Sequence, residues 1–193
     1  MHAFVVVGVL AAALVCCGDI DTGLARCAVG ERPSYFVPHP AGSPLVILGC
    51  ARLGVSGKRV EFSADPGCMN PAYNGRGRRG IFIPAMCRLD PPVSRFAVRD
   101  ASQPRQGVRG YAYVIWGTAG ASHHVLARFS GGTARAAIIR VPARLAHILG
   151  EPPFRLFVLE LPLTAACAAV TVRGAATERL PPQPRLCNRA ATP

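Results

Sequence analysis

The residues of this chain that could do chemistry are mostly arginines, and the densest group lies in a glycine-rich segment. Arg76, Arg78 and Arg79 stand within the run Asn-Gly-Arg-Gly-Arg-Arg-Gly of residues 74–80. Furin-type proteases of the secretory pathway cleave the Arg-x-Arg-Arg pattern, and a basic cluster of this kind also suits heparan sulfate. A solvated turn in an arginine-biased chain explains the same run, because none of these residues suits a hydrophobic core.

Patterns that support catalysis are missing. The chain has no Gly-x-Ser-x-Gly nucleophile elbow, and its 10 acidic residues stand singly rather than as a catalytic pair. His123 and His124 are neighbours, so on a strand they would point to opposite faces and could not easily share a metal. His147 is expected beside the apolar face of a short helix, as a partly buried packing residue. We expect no enzymatic activity, no metal and no cofactor.

Residues 1–17 predict a cleaved signal peptide. Residues 3–15 are almost purely aliphatic, and this run is too short to span a bilayer, which needs about 20 apolar residues. Small flanking residues suit cleavage before Gly18 or Asp19. No later apolar stretch reaches membrane length, so we expect a chain of the secretory pathway that meets membranes only through partners.

Six cysteines follow the predicted leader, and their even number in a secreted chain predicts a disulfide framework. A zinc site is disfavoured, because no two of them are separated by only two to four residues. The connectivity stays open, although the isolated position of the last two favours pairing them with each other. The six are Cys27, Cys50, Cys68, Cys87, Cys167 and Cys187.

The chain is strongly basic, with a net charge of +12, and Lys58 is its one lysine. A GC-rich genome explains an arginine excess without any function. The functional explanation is a surface that meets a polyanion such as a glycosaminoglycan, or an acidic protein. Nucleic acid is not expected as the partner of a secreted chain.

The pattern of apolar residues predicts an α+β protein that is mostly β. Residues 18–90 are expected to form an N-terminal region of short strands and disulfides, and the proline- and arginine-rich residues 91–110 a connecting segment. Residues 111–193 are expected to hold a meander, a short helix and further strands.

The predicted meander has three consecutive strands at residues 111–116, 123–129 and 134–141, joined by glycine-containing turns. The helix follows at residues 142–149, with proline at its first position and Gly150 as its C-terminal cap. Further strands are expected at residues 154–161 and 168–172.

Aromatic residues of the first meander strand are candidates for partner contact. Tyr111, Tyr113 and Trp116 could form an exposed recognition face, although packing in the core is the favoured explanation for most of them. The sequence has no Asn-x-Ser/Thr sequon, so N-glycosylation is not expected.

The order of several short motifs resembles the chemokine-like accessory subunits of the cytomegalovirus pentameric entry complex, which assemble on glycoproteins H and L. The resemblance is best between residues 110 and 161 and thinner between residues 43 and 74. Its motifs are Cys68-Met69-Asn70, Val114-Ile115-Trp116, Arg128-Phe129, Gly132-Thr133 with Arg135, Ala146-His147, the strand at residues 154–161, and Cys187.

This resemblance implies a non-enzymatic viral envelope subunit with a chemokine-like unit of three strands and a helix. Its partners would be glycoproteins H and L, two further small subunits and a host-cell receptor. The absent sequon and the extra cysteine, Cys167, depart from that family. The alternative is a free secreted viral immunomodulator that binds chemokines, cytokines or glycosaminoglycans.

Overall fold

The structure is a computed structural model that describes residues 20–32, 44–74, 81–82, 86–87, 89–102 and 112–190. Fourteen strands, two short α-helices and two 3-10 turns follow one another in this part of the chain. The strands are β1 (Ile20–Asp21), β2 (Gly23–Leu24), β3 (Val46–Arg52), β4 (Arg59–Asp65), β5 (Cys68–Asn74), β6 (Ile81–Phe82), β7 (Phe96–Ser102), β8 (Ala112–Ala119), β9 (Leu126–Phe129), β10 (Gly132–Arg135), β11 (Ala137–Val141), β12 (Phe154–Pro162), β13 (Val170–Arg173) and β14 (Thr177–Leu180). The helices are α1 (Ala143–Ala146) and α2 (Pro184–Ala190), and the 3-10 turns are His147–Leu149 and Leu163–Cys167.

These strands form three sheets. Sheet I has the order β2-β3-β4-β5-β6, sheet II the order β11-β12-β8-β7, and sheet III the order β1-β10-β9-β13-β14. The neighbours are antiparallel except β1 and β10, which run parallel. The expectation of a mostly β, disulfide-containing protein with few helices is confirmed.

Sheet II is the central layer and packs on both of its faces. One hydrophobic cluster joins Trp116 and Leu156 of sheet II to Phe62 of sheet I, and the Phe62 and Trp116 rings meet edge to face at 5.6 Å. A second cluster joins Phe157 on the opposite face of sheet II to Val172 of sheet III. Burial on both faces explains why β12 is an almost continuous apolar run. A strand in a sheet covered on one side only would alternate apolar and polar residues.

The predicted three-stranded meander is wrong. Strand β8 pairs with β7 and β12 in sheet II, whereas β9 pairs with β10 and β13 in sheet III. The expected third strand is divided at Ala136 into β10 and β11, which belong to different sheets. The physical reason is that β8 and β12 are apolar on both faces and pair with each other in the central sheet. Strand β9 then belongs to sheet III, which covers one face of that sheet.

The helix after this region is shorter than predicted, because only Ala143–Ala146 is α-helical and His147–Leu149 continues as a 3-10 turn. Gly150 ends it with a φ of 72°, which confirms the predicted glycine cap. Residues 91–102 hold strand β7 as well as connecting chain, because Phe96, Ala97 and Val98 supply apolar side chains for sheet II. The division at residues 18–90, 91–110 and 111–193 stays a prediction.

Among the described residues, three disulfides each join one cysteine to the next cysteine along the chain. They are Cys27–Cys50, Cys68–Cys87 and Cys167–Cys187. The first ties the segment after β2 to β3, the second fixes the start of β5, and the third joins the 3-10 turn after β12 to α2. The predicted framework of six cysteines and the predicted Cys167–Cys187 bridge are confirmed.

Candidate interaction surface

Two of the three aromatic residues predicted to contact a partner lie in the core. Tyr113 and Trp116 are 0% exposed, and they point to opposite faces of sheet II. A partner cannot reach them in the folded protein, so this prediction is corrected for both. Tyr111 lies outside the described residues, as do Arg76, Arg78 and Arg79, and the predictions for these four remain untested.

The three histidines that the structure describes assemble no site. His123 and His124 are exposed in the segment before β9, as expected for a surface pair, whereas His147 is exposed rather than partly buried. Within the described ranges, no group of three or more His, Cys, Asp or Glu side chains is placed to hold a metal ion. In the same ranges, no helix is long and apolar enough to cross a membrane.

Arginines dominate the outward side of sheet III. Ala127, Ala134 and Val172 point inward and are buried, so their alternating neighbours point outward. The outward positions are Asp21 of β1, Thr133 and Arg135 of β10, Leu126 and Arg128 of β9, Thr171 and Arg173 of β13, and Thr177 and Arg179 of β14. We call this set the arginine face.

The strand register arranges these side chains in two rows. One row crosses the sheet as Thr133, Arg128, Thr171 and Arg179, because Thr171 is the register partner of both arginines beside it. The next row is Asp21, Arg135, Leu126, Arg173 and Thr177.

Each of four neighbouring strands therefore contributes one arginine, alternately from one row and the other. Adjacent strands are about 4.8 Å apart, and the rows are offset by two residues, or about 7 Å along the strand. The arginines thus follow a zigzag line that crosses the strands. Leu126, Arg128, Thr171, Arg173 and Thr177 line an open groove of about 270 Å³ on this line.

Tight local connections hold this surface together. Strands β9 and β10 form a hairpin in which Phe129 pairs with Gly132, so Ser130 and Gly131 make a two-residue turn where the sequence predicted one. Strands β13 and β14 form a second hairpin, closed by a 2.8 Å hydrogen bond from the Gly174 amide to the Ala176 carbonyl. Short turns leave little freedom of register, so the rows of arginines are fixed by the backbone.

The charge of the arginine face is poorly compensated. Asp21 is its one acidic position, and it lies at the edge strand, where its carboxylate is 3.6 Å from the Arg135 guanidinium. Both side chains are mostly exposed, so water and salt screen this pair. Arg128, Arg173 and Arg179 are also exposed, which leaves their guanidinium groups available to a ligand.

Arg99, at the bulge of β7, is a half-buried arginine with structural contacts, and it contrasts with the exposed arginines of the arginine face. Its guanidinium donates to the Pro91 carbonyl and, at 3.3 Å, to the Thr118 hydroxyl. Burial lowers the pKa of Arg99, while nearby carboxylates such as Glu178 act in the opposite direction. The arginines of the arginine face have no comparable enclosure.

Comparison of the chain with protein-family models, with curated proteins and with solved structures found no match. The arginine face was not predicted from the sequence as a site. Its trace in the sequence is the alternation of arginine or threonine with small apolar residues, as in Thr171-Val172-Arg173. That alternation indicates which residues share a face but not which strands are neighbours, so it could not have assembled the rows.

Proposed function

We propose that this protein is a non-enzymatic, secreted binding protein and that its arginine face holds a sulfated glycosaminoglycan. The observation that carries the proposal is the zigzag of one arginine on each of four neighbouring strands. Planar guanidinium groups bind oxyanions through paired N–H donors. Half-buried Thr171 lies between Arg128 and Arg179 in the same row. A linear polyanion laid across the strands meets a new positive charge at each of β10, β9, β13 and β14.

The composition of the face favours a polysaccharide over a protein. The centres of protein interfaces are anchored by buried aromatic side chains together with arginine, and the arginine face has no aromatic residue. Leu126, with 42% of its surface exposed, is the one large apolar side chain of the arginine face. The three disulfides are compatible with an extracellular protein, and extracellular surfaces are where sulfated polysaccharides occur.

Salt-dependent retention on immobilised heparin tests this proposal. We expect the double variant Arg128→Gln/Arg173→Gln to elute at clearly lower salt than the wild type, with a weaker salt dependence of binding. The matched control is Arg95→Gln/Arg144→Gln, which removes the same charge from exposed positions outside sheet III. Equal shifts in the two double variants would mean that only net charge matters, and the arginine face would lose its role.

A second candidate function is a subunit of a viral envelope complex with glycoproteins H and L, two further small subunits and a host receptor. The order of the sequence motifs from Cys68 to Cys187 favours it. Against it, the chemokine-like meander that the resemblance implies does not form, because β8 and β9 belong to different sheets. Co-purification from virions with glycoproteins H and L would support this candidate, and accumulation of the protein alone in the culture medium would contradict it.

A further inference from the structure

Two arginines of the central layer oppose each other directly. In the antiparallel pair of β11 and β12, Arg140 is the register partner of Arg155. Directly opposed residues of an antiparallel pair share one face of the sheet with their Cβ atoms about 5 Å apart, and like charges there are destabilising. Sheet II thus carries an electrostatic cost at this position that no feature of its fold requires.

The two guanidinium groups border a cleft of about 190 Å³, which is also lined by Ser94, Gly120, Pro142 and Pro153. No lining residue is acidic. Within the described part of the chain, neither arginine takes part in an ion pair. Arg155 donates one long hydrogen bond, 3.4 Å, to the carbonyl of Gly120, and most donors of both guanidinium groups remain available.

We propose that this cleft, the Arg140–Arg155 cleft, binds a tetrahedral oxyanion, sulfate or phosphate, either free or as a monoester. Two guanidinium groups on one face can each direct N–H donors at a single oxyanion. The Ser94 hydroxyl at the cleft adds a donor, and two prolines stiffen its rim. A bound oxyanion between the two guanidinium groups is attracted to both of them and so offsets their mutual repulsion.

This site is separate from the arginine face, because Arg140 and Arg155 belong to sheet II. It does not depend on the proposed glycosaminoglycan function. The two can be tested independently, since substitutions in one leave the residues of the other unchanged.

The test is the thermal midpoint of unfolding in sodium sulfate or sodium phosphate against sodium chloride of equal ionic strength. Ligand that binds only the folded state stabilises it by an amount that depends on its concentration relative to Kd. We expect a rise of about 2–4 °C for the wild type that begins to level off as the site fills. General salt effects continue to grow with concentration and act equally on the wild type and on a variant that lacks the site. The difference between their thermal midpoints therefore isolates binding at the cleft.

The decisive variants are Arg140→Gln and Arg140→Glu. Both are expected to unfold at a higher temperature than the wild type in dilute chloride, because the repulsion is relieved or replaced by an attraction to Arg155, and both are expected to lose the anion-specific rise. Arg185→Gln, at an exposed position outside both sites, is the control and should keep it. A wild-type rise in Arg140→Gln, or loss of the rise in Arg185→Gln, would overturn the proposal.

N-acetylglucosamine 6-sulfate and glucose 6-phosphate, added in place of the inorganic anions, distinguish esters from free ions. A rise with the sugar esters that Arg140→Gln abolishes assigns the cleft to esters as well as free anions. A rise with inorganic anions alone, again abolished by Arg140→Gln, assigns it to free anions. No anion-specific rise with any of the four probes in the wild type would refute the site.

Discussion

The carboxylate of Glu160 in strand β12 accepts a 2.7 Å hydrogen bond from the backbone amide of Ser56, which lies 104 positions earlier in the chain. The amide of Val55 donates to the same oxygen at 2.9 Å. Val55 and Ser56 form the turn between β3 and β4, so a single buried carboxylate ties the tip of a sheet I hairpin to the central layer. Glu160 is 0% exposed, and two amide donors offset part of the cost of burying its charge.

Replacing Glu160 by Gln is expected to lower the free energy of unfolding by about 2–3 kcal/mol, because the neutral amide accepts these hydrogen bonds more weakly than a carboxylate does. Chemical denaturation measures the loss. Hydrogen exchange should show faster exchange of the Val55 and Ser56 amides. The control is Glu31→Gln, at an exposed position, and it should change stability little. Unchanged exchange at both amides in Glu160→Gln would show that the carboxylate does not hold the turn.

Gly117, in the middle of β8, has no room for a side chain. A methyl group there would overlap the Ala97 carbonyl oxygen of β7 and come within 2.7 Å of the Phe157 ring. We expect Gly117→Ala to reduce stability by about 1–3 kcal/mol, measured as a lower urea midpoint. Gly23→Ala is the matched control, since nothing lies within 4 Å of its added methyl group. A wild-type midpoint for Gly117→Ala would contradict the close packing of β7, β8 and β12.

Tyr113 gives the protein a measurable dependence on alkaline pH. Burial, with a contribution from Asp100, raises the pKa of Tyr113 to about 12 from an ordinary value of 10.0. The unfolded chain releases this proton near pH 10 and the folded chain only near pH 12. The contribution of Tyr113 to the free energy of unfolding is therefore complete below pH 10 and is lost progressively as the pH rises to 12.

Absorbance of tyrosinate is expected to show a late-titrating group that Tyr113→Phe removes. Between pH 10 and 12 the variant should also lose less stability than the wild type. At neutral pH the change should cost little, because the buried Tyr113 hydroxyl has no hydrogen-bond partner among the described residues. Parallel loss of stability in the two proteins above pH 10 would show that Tyr113 is not the group responsible.

The Cys167–Cys187 bridge is expected to hold helix α2 against the 3-10 turn after β12. The double variant Cys167→Ala/Cys187→Ala should be less stable by about 2–4 kcal/mol. Trypsin should cleave it faster after Arg185, an exposed residue of α2. In the control Cys27→Ala/Cys50→Ala, which opens a bridge in sheet I, cleavage after Arg185 should keep its wild-type rate under native conditions. A wild-type cleavage rate in Cys167→Ala/Cys187→Ala would mean that other contacts, such as that of Leu186 with the core, are enough to hold α2 in place.

Local sequence patterns predicted many strands but not their neighbours. Strand β12 was predicted because its residues are apolar without interruption over most of its length, and Gly150 because a left-handed cap needs glycine. Strand β7 was missed, since the surrounding prolines and arginines hid the short apolar run that begins at Phe96. The meander failed for a different reason. Pairing is decided by which faces become buried against which neighbours, and the apolar run of β8 does not show which strands will lie beside it.

The candidate site was less predictable than the fold. The basic composition indicated a polyanion-binding surface, and residues 76–79 drew attention because their arginines are adjacent in sequence. The arginines of the arginine face are instead separated by up to 51 positions, from Arg128 to Arg179, and are brought together only by the order of strands in sheet III. Tyr113 and Trp116 were candidates for partner contact because an aromatic strand looks the same in sequence whether its side chains lie on the surface or in the core.

The disulfides close short loops, with separations of 23, 19 and 20 residues, whereas Ile20 of β1 pairs with Ala134. A chain that enters an oxidising compartment N-terminus first can therefore close each bridge in turn, soon after its second cysteine arrives. Sheet III must wait, because its first strand has no partner until more than half of the chain has followed. Covalent closure can thus be vectorial and tolerant of slow synthesis, while completion of the arginine-bearing layer depends on the pairing of residues far apart in the sequence.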